Sequence, residues 1–422
     1  MNDFPTPKLI RTTPDNQFAH TTMTHRLPAN ITNVLAAHPY YPDSIRRNLS
    51  NLAEAISGNE RMVPPSLPAW DFDLWKLEYN THEGESWHDT EWFFGETWGF
   101  RLLLNAVRYF ETRIDPYGPM KQAELDSGAP FLPITRFLGT GCIGASVLER
   151  LKRVGDSDYP PRNCNALSPE DRIALEDAFH LSMWGNRADI SFAAGAALDH
   201  SEGDRDLLLV NEGGRAAEIL LSDPVSDHGD TVHIIMDNSG AELAGDLVLA
   251  LAVIALTGHT VVLHPKMYPT YVSDTTVEDI HIYLDAAAQW PDTVVRETAR
   301  AVRHAFDAGR ITIAPDDFWC RTRFLAEMPG RIAAVLEKAA LVIVKGDLNY
   351  RRVFRDTIWT PDVSTGSAVG RALSFPVLLL RTMKSDCLVG VAPETREKLD
   401  RDEPGWRTAG RRGLIQMVEV NG

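Results

Sequence analysis

Two carboxylates and one amide in the middle of the chain have the composition of a site for a divalent cation. Asp237 and Asn238 directly follow the apolar residues 231–236, and Asp274 comes after the next apolar run, residues 260–263. Carboxylate and amide oxygens are the hard ligands that suit Mg²⁺ or Mn²⁺. On neighbouring parallel strands the two carboxylates would meet at one sheet edge, where they would repel each other without a shared cation. Capping of the following helices is the alternative interpretation, because Asp and Asn are also preferred N-cap residues.

Cationic and amide side chains follow two further apolar runs. Residues 341–344 lead into residues 345–352 (Lys-Gly-Asp-Leu-Asn-Tyr-Arg-Arg), and residues 375–380 lead into Arg381 and Lys384. Arginine binds phosphate through its planar fork and lysine binds it as a point charge. A surface network of salt bridges is the alternative, but it does not explain why polar clusters follow all four apolar runs.

The elements that must position these residues alternate between strands and helices from about residue 172. The predicted strands are 206–211, 231–236, 260–265, 340–345 and 375–380. The predicted helices are 172–184, 214–222, 241–257, 276–288, 295–307 and 330–339. This alternation predicts a three-layer α/β/α, doubly wound and mainly parallel sheet. Such sheets bind ligands beyond the carboxyl ends of their strands, so the four polar clusters are expected to meet there.

The N-terminal part of the chain is expected to be helical. Residues 1–25 are predicted to be a flexible tail, residues 26–170 an additional helical domain, and residues 171–422 the α/β catalytic domain. Within the helical part, the apolar spacing predicts helices at 41–56 and 91–112. The aromatic residues of this region have helical spacing without interleaved basic residues, which favours core packing over a stacking platform for bases. They are Trp87, Trp92, Phe93, Phe94, Trp98 and Phe100.

Composition limits the classes of partner. The chain has 422 residues and a formal net charge of −16, which argues against nucleic-acid binding, whereas a local cationic site for a small anion is compatible with it. No apolar run reaches the roughly 18 residues of a membrane span and no signal peptide is evident, so a cytoplasmic protein without membrane contact is expected. The four cysteines show neither disulfide nor zinc spacing. His233 and His264 are interpreted as core residues, and residues 139–144 match GxGxxG by accident.

The motifs around these residues resemble those of the damage-control phosphatases of the ARMT1-like (DUF89) type, and specifically their third subfamily. The resemblance depends mainly on residues 345–352, on residues 237–247 (Asp-Asn-Ser-Gly-Ala-Glu-Leu-Ala-Gly-Asp-Leu), on residues 272–276, and on Arg381 to Lys384 as an RTxK motif. Weaker matches lie at residues 92–101, 115–117 and 181–190, at Trp406 and at Gly413.

The resemblance implies a role for each matched residue. The implied metal ligands are Asp237, Asn238 and Asp274. The implied substrate-binding residues are Lys345, Asp347, Leu348, Asn349, Tyr350, Arg351, Arg381 and Lys384. The implied catalytic residues are Asp237, Asn238, Glu242 and Asp347, and either Asp347 or Glu242 would position the attacking water.

The function implied is hydrolysis of small phosphorylated metabolites with a divalent metal (Mn²⁺, Ni²⁺, Co²⁺ or Mg²⁺). Sugar phosphates such as fructose 1-phosphate or fructose 6-phosphate are the expected substrates, and the oligomeric state is left open. One alternative is different chemistry, such as a lyase or oxidase reaction, on the same metal site. Carboxyl methylation from S-adenosylmethionine is another, although no convincing glycine-rich loop follows a strand. A binding module without enzymatic activity is the last.

Overall fold

The fold is described from a computed structural model that covers residues 7–139, 149–151, 153–154, 169–185, 206–222, 229–370 and 372–418. The strands of this part of the chain are β1 (Lys8–Leu9), β2 (Leu208–Asn211), β3 (Thr231–Ile235), β4 (Thr260–His264), β5 (Ile311–Ile313), β6 (Leu341–Lys345), β7 (Thr357–Ile358), β8 (Val377–Thr382) and β9 (Gly413–Val418). The helices up to Leu221 are α1 (Gln17–Thr21), α2 (Leu27–Ala37), α3 (Asp43–Ser57), α4 (Phe72–Asn80), α5 (Trp92–Ala106), α6 (Tyr109–Thr112), α7 (Gly118–Asp126), α8 (Leu132–Gly139), α9 (Pro169–Trp184) and α10 (Gly213–Leu221). Those that follow are α11 (Ala241–Thr257), α12 (Val277–Gln289), α13 (Thr293–Asp307), α14 (Gly330–Leu336), α15 (Gly346–Val353), α16 (Thr365–Val369) and α17 (Pro393–Asp402).

Seven strands form one sheet in the order β2-β9-β8-β6-β3-β4-β5. The five strands from β8 to β5 are parallel, whereas β9 pairs antiparallel with β8 and parallel with β2. From β3 the chain first continues to β4 on one side and later returns to β6 on the other side. The topological switch point therefore lies between β3 and β6, which is where open α/β sheets form their ligand crevices.

The central strand β6 is buried on both faces. Leu341 and Ile343 belong to one hydrophobic core, and Val342 and Val344 belong to a second core on the opposite face. Alternate residues of a strand point to opposite faces, so helices must cover both sides of the sheet. This explains the near-continuous apolar run before Lys345.

Helices α9, α11, α12 and α13 supply apolar residues to the first core, and α11 is buried along its whole length. The second core joins the other face of the sheet to the N-terminal helices α2, α3, α4 and α5. The six aromatic residues assigned to the core by the sequence are buried there or beside it, which confirms that interpretation. The predicted fold class is confirmed: helices cover both faces of a mainly parallel sheet, with additional N-terminal helices. The proposed boundary at residue 170 stays a prediction.

The structure differs from the sequence-based expectations in three places. Residues 7–25, expected to be a flexible tail, are held by pairing of β1 with β7 and by burial of Ala19 and Met23 in the second core. The helix predicted at 91–112 ends at Ala106, because Arg108 adopts a left-handed conformation with φ of 58°. The strands β1, β5, β7 and β9 were missed. Residues 140–144 and 186–190, which carry the GxGxxG match and part of a weaker family match, lie outside the described residues.

Within the described ranges, no helix combines the length and the apolar character that crossing a bilayer requires.

Candidate active site

The three predicted metal ligands lie together at the carboxyl end of the sheet, next to the switch point. Asp237 and Asn238 follow β3, and the loop after β4 brings Asp274 alongside them as an isolated bridge partner of Asn238. The backbone N–H of Thr275 donates to the carbonyl oxygen of Asp237 at 2.8 Å. The two loops therefore pair with each other in an antiparallel bridge beyond the parallel pairing of β3 with β4, and this bridge holds the two carboxylates at one edge.

The alternative interpretation of these residues as helix caps is wrong. The N-cap of α11 is Gly240, two residues beyond Asn238. The N-cap of α12 is Thr276, whose side chain accepts a hydrogen bond from the backbone N–H of Asp279 while the Asp279 carboxylate accepts one from the backbone N–H of Thr276. The side chains of Asp237 and Asp274 therefore do not cap these helices and are available to a ligand.

Buried negative charge dominates this edge of the sheet. Burial raises the pKa of Asp237 well above its usual range, and the nearby carboxylates of Glu242 and Asp274 raise it further, while Lys266 and Lys384 offset only part of this. Burial also raises the pKa of Asp274, although Lys266 lies 3.6 Å from its Oδ2 atom. A raised pKa means that a proton, or another cation, is favoured at these oxygens.

The amide of Asn238 is held in one orientation. Its Nδ2 atom donates to Asp237 Oδ2 at 3.0 Å and to Glu242 Oε2 at 2.9 Å. Its Oδ1 atom accepts a hydrogen bond of 2.7 Å from the hydroxyl of Ser273. An amide oxygen has two lone pairs, so Oδ1 retains one for a cation.

Gly346 makes room for the Asp237 carboxylate. It has a φ of +82°, and a Cβ atom at this position would lie 1.9 Å from Asp237 Oδ2. Only glycine fits both the left-handed backbone and this close approach. The Lys-Gly-Asp sequence thus brings the end of β6 directly against the candidate metal ligand that follows β3.

Asp347 lies at the centre of a second group of residues, at the ends of β6 and β8. Its Oδ1 atom accepts hydrogen bonds from Arg381 Nε at 2.8 Å, from the backbone N–H of Lys384 at 3.1 Å and from the Ser385 hydroxyl at 3.0 Å. Burial alone would raise the pKa of Asp347, but Arg381 and Arg351 together lower it overall. Asp347 is therefore an ionised carboxylate. The half-buried Lys384 donates its backbone N–H to Asp347, and its positive charge partly offsets the raised pKa of Asp237.

Several predicted substrate-binding residues use their polar groups within the protein. Lys345 Nζ donates to Glu242, Asp246 and the carbonyl oxygen of Ser182, and Asn349 Nδ2 donates to two backbone carbonyls. The guanidinium of Arg381 donates to Asp347, Cys387 and Ser385 and lies 3.9 Å from the ring centroid of Tyr350. Leu348 and Tyr350 are themselves buried. Direct contact of these residues with a substrate stays a prediction.

Arg351 is buried between two carboxylates and an aromatic ring. It donates to both oxygens of Asp356, at 2.9 and 3.1 Å, and to Glu96 Oε2 at 2.9 Å. Its guanidinium carbon lies 3.6 Å from the ring centroid of Trp92. Arg351 thus links α15 to α5, and its predicted role as a phosphate contact is untested.

Sequence reasoning did not single out Glu96, Lys266, Asp356 or Ser385, although all four contact the predicted residues. The sequence does contain an indication for Glu96, because it is the one acidic residue in the aromatic-rich helix α5. The other three lie in loops, where the sequence offers no periodicity that would indicate their partners.

The donor set fits a hard divalent cation. Asp237, Asp274 and the amide oxygen of Asn238 are oxygen ligands, and Gly346 leaves space for the first of them. In the described parts of the chain, no three His, Cys, Asp or Glu side chains are grouped as a metal site. With Asp237 and Asp274, the amide oxygen of Asn238 would be the third oxygen donor of the set.

Comparison with known proteins places the chain among phosphatases. A family model described as "Damage-control phosphatase ARMT1-like domain" matches residues 22–399. The protein "Damage-control phosphatase ARMT1" of Xenopus laevis is 27% identical over 96% of this chain and 97% of its own length. The protein of the same name from Homo sapiens is 24% identical over 94% and 96%. A solved structure of a DUF89 family protein from Pyrococcus horikoshii covers 94% of this chain and 98% of its own, with 13% identity and a TM-score of 0.43. Because the family model covers most of the sequence, the chain belongs to the damage-control phosphatase ARMT1-like family.

Proposed function

We propose that this protein is a divalent-metal-dependent phosphatase that hydrolyses small phosphorylated metabolites. Sugar phosphates, such as fructose 1-phosphate or fructose 6-phosphate, are the substrate class that we expect. Family membership supports phosphatase activity, and the hard oxygen donors support a metal of the Mn²⁺, Ni²⁺, Co²⁺ or Mg²⁺ type.

One observation carries the proposal. Asp237, Asn238 and Asp274 converge next to Asp347 and Lys384, at the switch point of the sheet. Candidate oxygen ligands for a cation therefore lie near a lysine that would bind phosphate, and this combination supports phosphoryl transfer.

The charge of each residue indicates whether it would bind the phosphoryl group or the metal. Lys384 would contact the phosphoryl oxygens, since this residue is half-buried and its positive charge acts on the Asp237 carboxylate. When bound at the oxygens of Asp237, Asn238 and Asp274, a divalent cation would supply positive charge that stabilises the phosphoryl oxygens and acidifies water.

Asp347 is the better placed of the two carboxylates considered for orienting the attacking water. It accepts its hydrogen bonds from Arg381, Ser385 and the backbone of Lys384 through Oδ1, whereas both oxygens of Glu242 accept bonds from protein groups. Its lowered pKa makes it a weak proton acceptor. Its role would therefore be to orient the water by hydrogen bonding more than to remove a proton.

The test is phosphate release from a panel of sugar phosphates and an aryl phosphate. Metal-stripped protein is assayed after separate addition of Mn²⁺, Ni²⁺, Co²⁺ or Mg²⁺. Asp237→Asn and Asp274→Asn should each remove metal-dependent release, because each keeps the shape of the side chain but removes a charged ligand.

Asp285→Asn is the matched control, since Asp285 pairs with Arg303 on an exposed helix surface. It should release phosphate at the wild-type rate. Full activity of both Asp237→Asn and Asp274→Asn would refute the assignment of the metal ligands. Absence of release from wild-type protein that binds the metal would refute the phosphatase itself.

A further inference from the structure

Lys345 is the buried lysine at the start of residues 345–352, and the hydrogen bonds of its ammonium group leave no N–H donor for a phosphate. Its ammonium is fully buried and donates to Glu242 Oε1 at 2.9 Å, to Asp246 Oδ1 at 2.7 Å and to the carbonyl oxygen of Ser182 at 2.7 Å. An ammonium group has three donors, and all three are used. Lys345 therefore acts on neighbouring protein groups and joins the end of β6 to α11 and α9.

The two carboxylates on Lys345 differ in what they contact next. Glu242 and Asp246 lie one helical turn apart on α11, so both reach the same ammonium. Asp246 Oδ1 also accepts a hydrogen bond from the Ser182 hydroxyl. Glu242 instead uses its second oxygen, Oε2, to accept a hydrogen bond from Asn238 Nδ2. A continuous series of contacts thus runs from Asp246 through Lys345 and Glu242 to the amide of Asn238.

This series determines which way the Asn238 amide faces. Its nitrogen lies between the carboxylates of Asp237 and Glu242, and its oxygen faces the hydroxyl of Ser273. A flipped amide would place its oxygen against two carboxylate oxygens, which is electrostatically unfavourable. While Glu242 accepts the hydrogen bond from Asn238 Nδ2, Oδ1 is directed away from the carboxylates and can serve as a ligand.

We propose that Asp246, Lys345 and Glu242 are positioning residues that hold Asn238 ready to bind the divalent cation, and that Glu242 is not the general base. The proposal depends on the metal-dependent function above and deepens it. It assigns Lys345 to ligand orientation in place of the substrate contact expected from the sequence. Partners that orient metal ligands are typically worth about 10-fold to 100-fold in metal affinity.

The test measures Mn²⁺ affinity by calorimetry, and phosphate release at saturating Mn²⁺, for wild-type protein, Glu242→Gln and Asp246→Asn. Both variants keep the side-chain shape. We expect each to bind Mn²⁺ at least about tenfold more weakly than wild type, with much of the lost rate recovered at saturating metal. A general base at Glu242 would give the opposite pattern, with unchanged Mn²⁺ affinity and a rate loss that metal does not recover.

Asp71→Asn is the matched control, because Asp71 and Arg101 form an equally buried ion pair among the N-terminal helices, at 2.7 Å. It should reduce stability and leave Mn²⁺ affinity unchanged. Wild-type Mn²⁺ affinity in Glu242→Gln, or an equal loss in Asp71→Asn, would overturn the proposal. If Asp246→Asn does not fold, Glu242→Gln still decides the question, since its charge change directly adjoins Asn238. A wild-type protein that binds no metal would instead refute the proposed function.

Discussion

Replacing Gly346 by alanine should disable the metal site through one misplaced atom. The Cβ atom would lie 1.9 Å from Asp237 Oδ2 and 2.3 Å from Asp237 Cγ, whereas real Cβ atoms essentially never approach closer than 3.0 Å. The carboxylate or the loop after β6 must therefore move by about 1 Å, which far exceeds the roughly 0.2 Å tolerance of metal–ligand distances.

Two separate costs follow from this substitution. A left-handed alanine costs about 1–2 kcal/mol of stability, whatever surrounds it. Displacement of a reacting group by about 1 Å can reduce the rate by roughly 100-fold. Gly346→Ala should therefore lose a modest amount of stability, about 1–3 kcal/mol, and nearly all metal-dependent phosphate release.

Gly405 separates the two costs. Its φ of +81° matches that of Gly346, but no heavy atom outside its immediate neighbours lies within 4 Å of the Cβ position. Gly405→Ala should therefore show the backbone cost in urea unfolding, while Mn²⁺ affinity and phosphate release stay at wild-type values. Equal Mn²⁺ affinity in Gly346→Ala and Gly405→Ala would refute the steric argument.

Two further predictions concern buried ionisable side chains away from the metal ligands. Burial lowers the pKa of His233 to about 4 and, together with His233, that of His264 to about 3. In the unfolded chain a histidine has a pKa of about 6.5, so below that pH the unfolded chain binds protons that the native state does not bind. The free energy of unfolding therefore decreases as the pH falls, by about 2 kcal/mol per histidine between pH 8 and pH 5. In urea unfolding, His233→Leu should reduce the change in the free energy of unfolding between pH 8 and pH 5 by about 2 kcal/mol. An unchanged pH dependence of that free energy would contradict this. Arg351→Met should destabilise the protein by about 3–5 kcal/mol, because Asp356 and Glu96 lose their buried partner; normal stability with lost phosphate release would instead indicate a direct substrate contact.

The sequence predicted the elements whose pattern is local. Strands β3, β4, β6 and β8 are apolar runs, and polar site residues follow β3, β6 and β8 directly, whereas Asp274 lies ten residues beyond the end of β4. The existence of these strands and the shared edge of their polar ends were therefore predictable. Strand β9 was missed because Gln416 interrupts its apolar pattern, and β5 because it has only three residues.

Partners of individual side chains were not predictable, because they come from distant parts of the chain. Arg351 and Lys345 have the same charge and lie six residues apart, yet Arg351 pairs with Glu96, which is 255 residues away, and Lys345 pairs with Glu242, 103 residues away. Neither pairing has a local signature. A cationic residue after a strand predicts a site at the sheet edge, and the fold alone decides whether that cation faces a substrate or a buried carboxylate.

The motif that begins at Lys345 joins three strand ends, which has a consequence for mutational studies. Lys345 holds Glu242, Gly346 admits the carboxylate of Asp237, and Asp347 gathers the end of β8, while Asn349 donates to the carbonyl oxygen of Met236 at the end of β3. Neighbouring residues of one motif thus fix the same ligand group from different sides. Because contacting residues couple energetically, substitutions in this motif should not combine additively. A loss of activity at any one of these positions therefore shows only that the arrangement of the ligand group has been disturbed. A separate measurement of metal affinity is needed to distinguish a residue that contacts the substrate from one that holds a metal ligand in place.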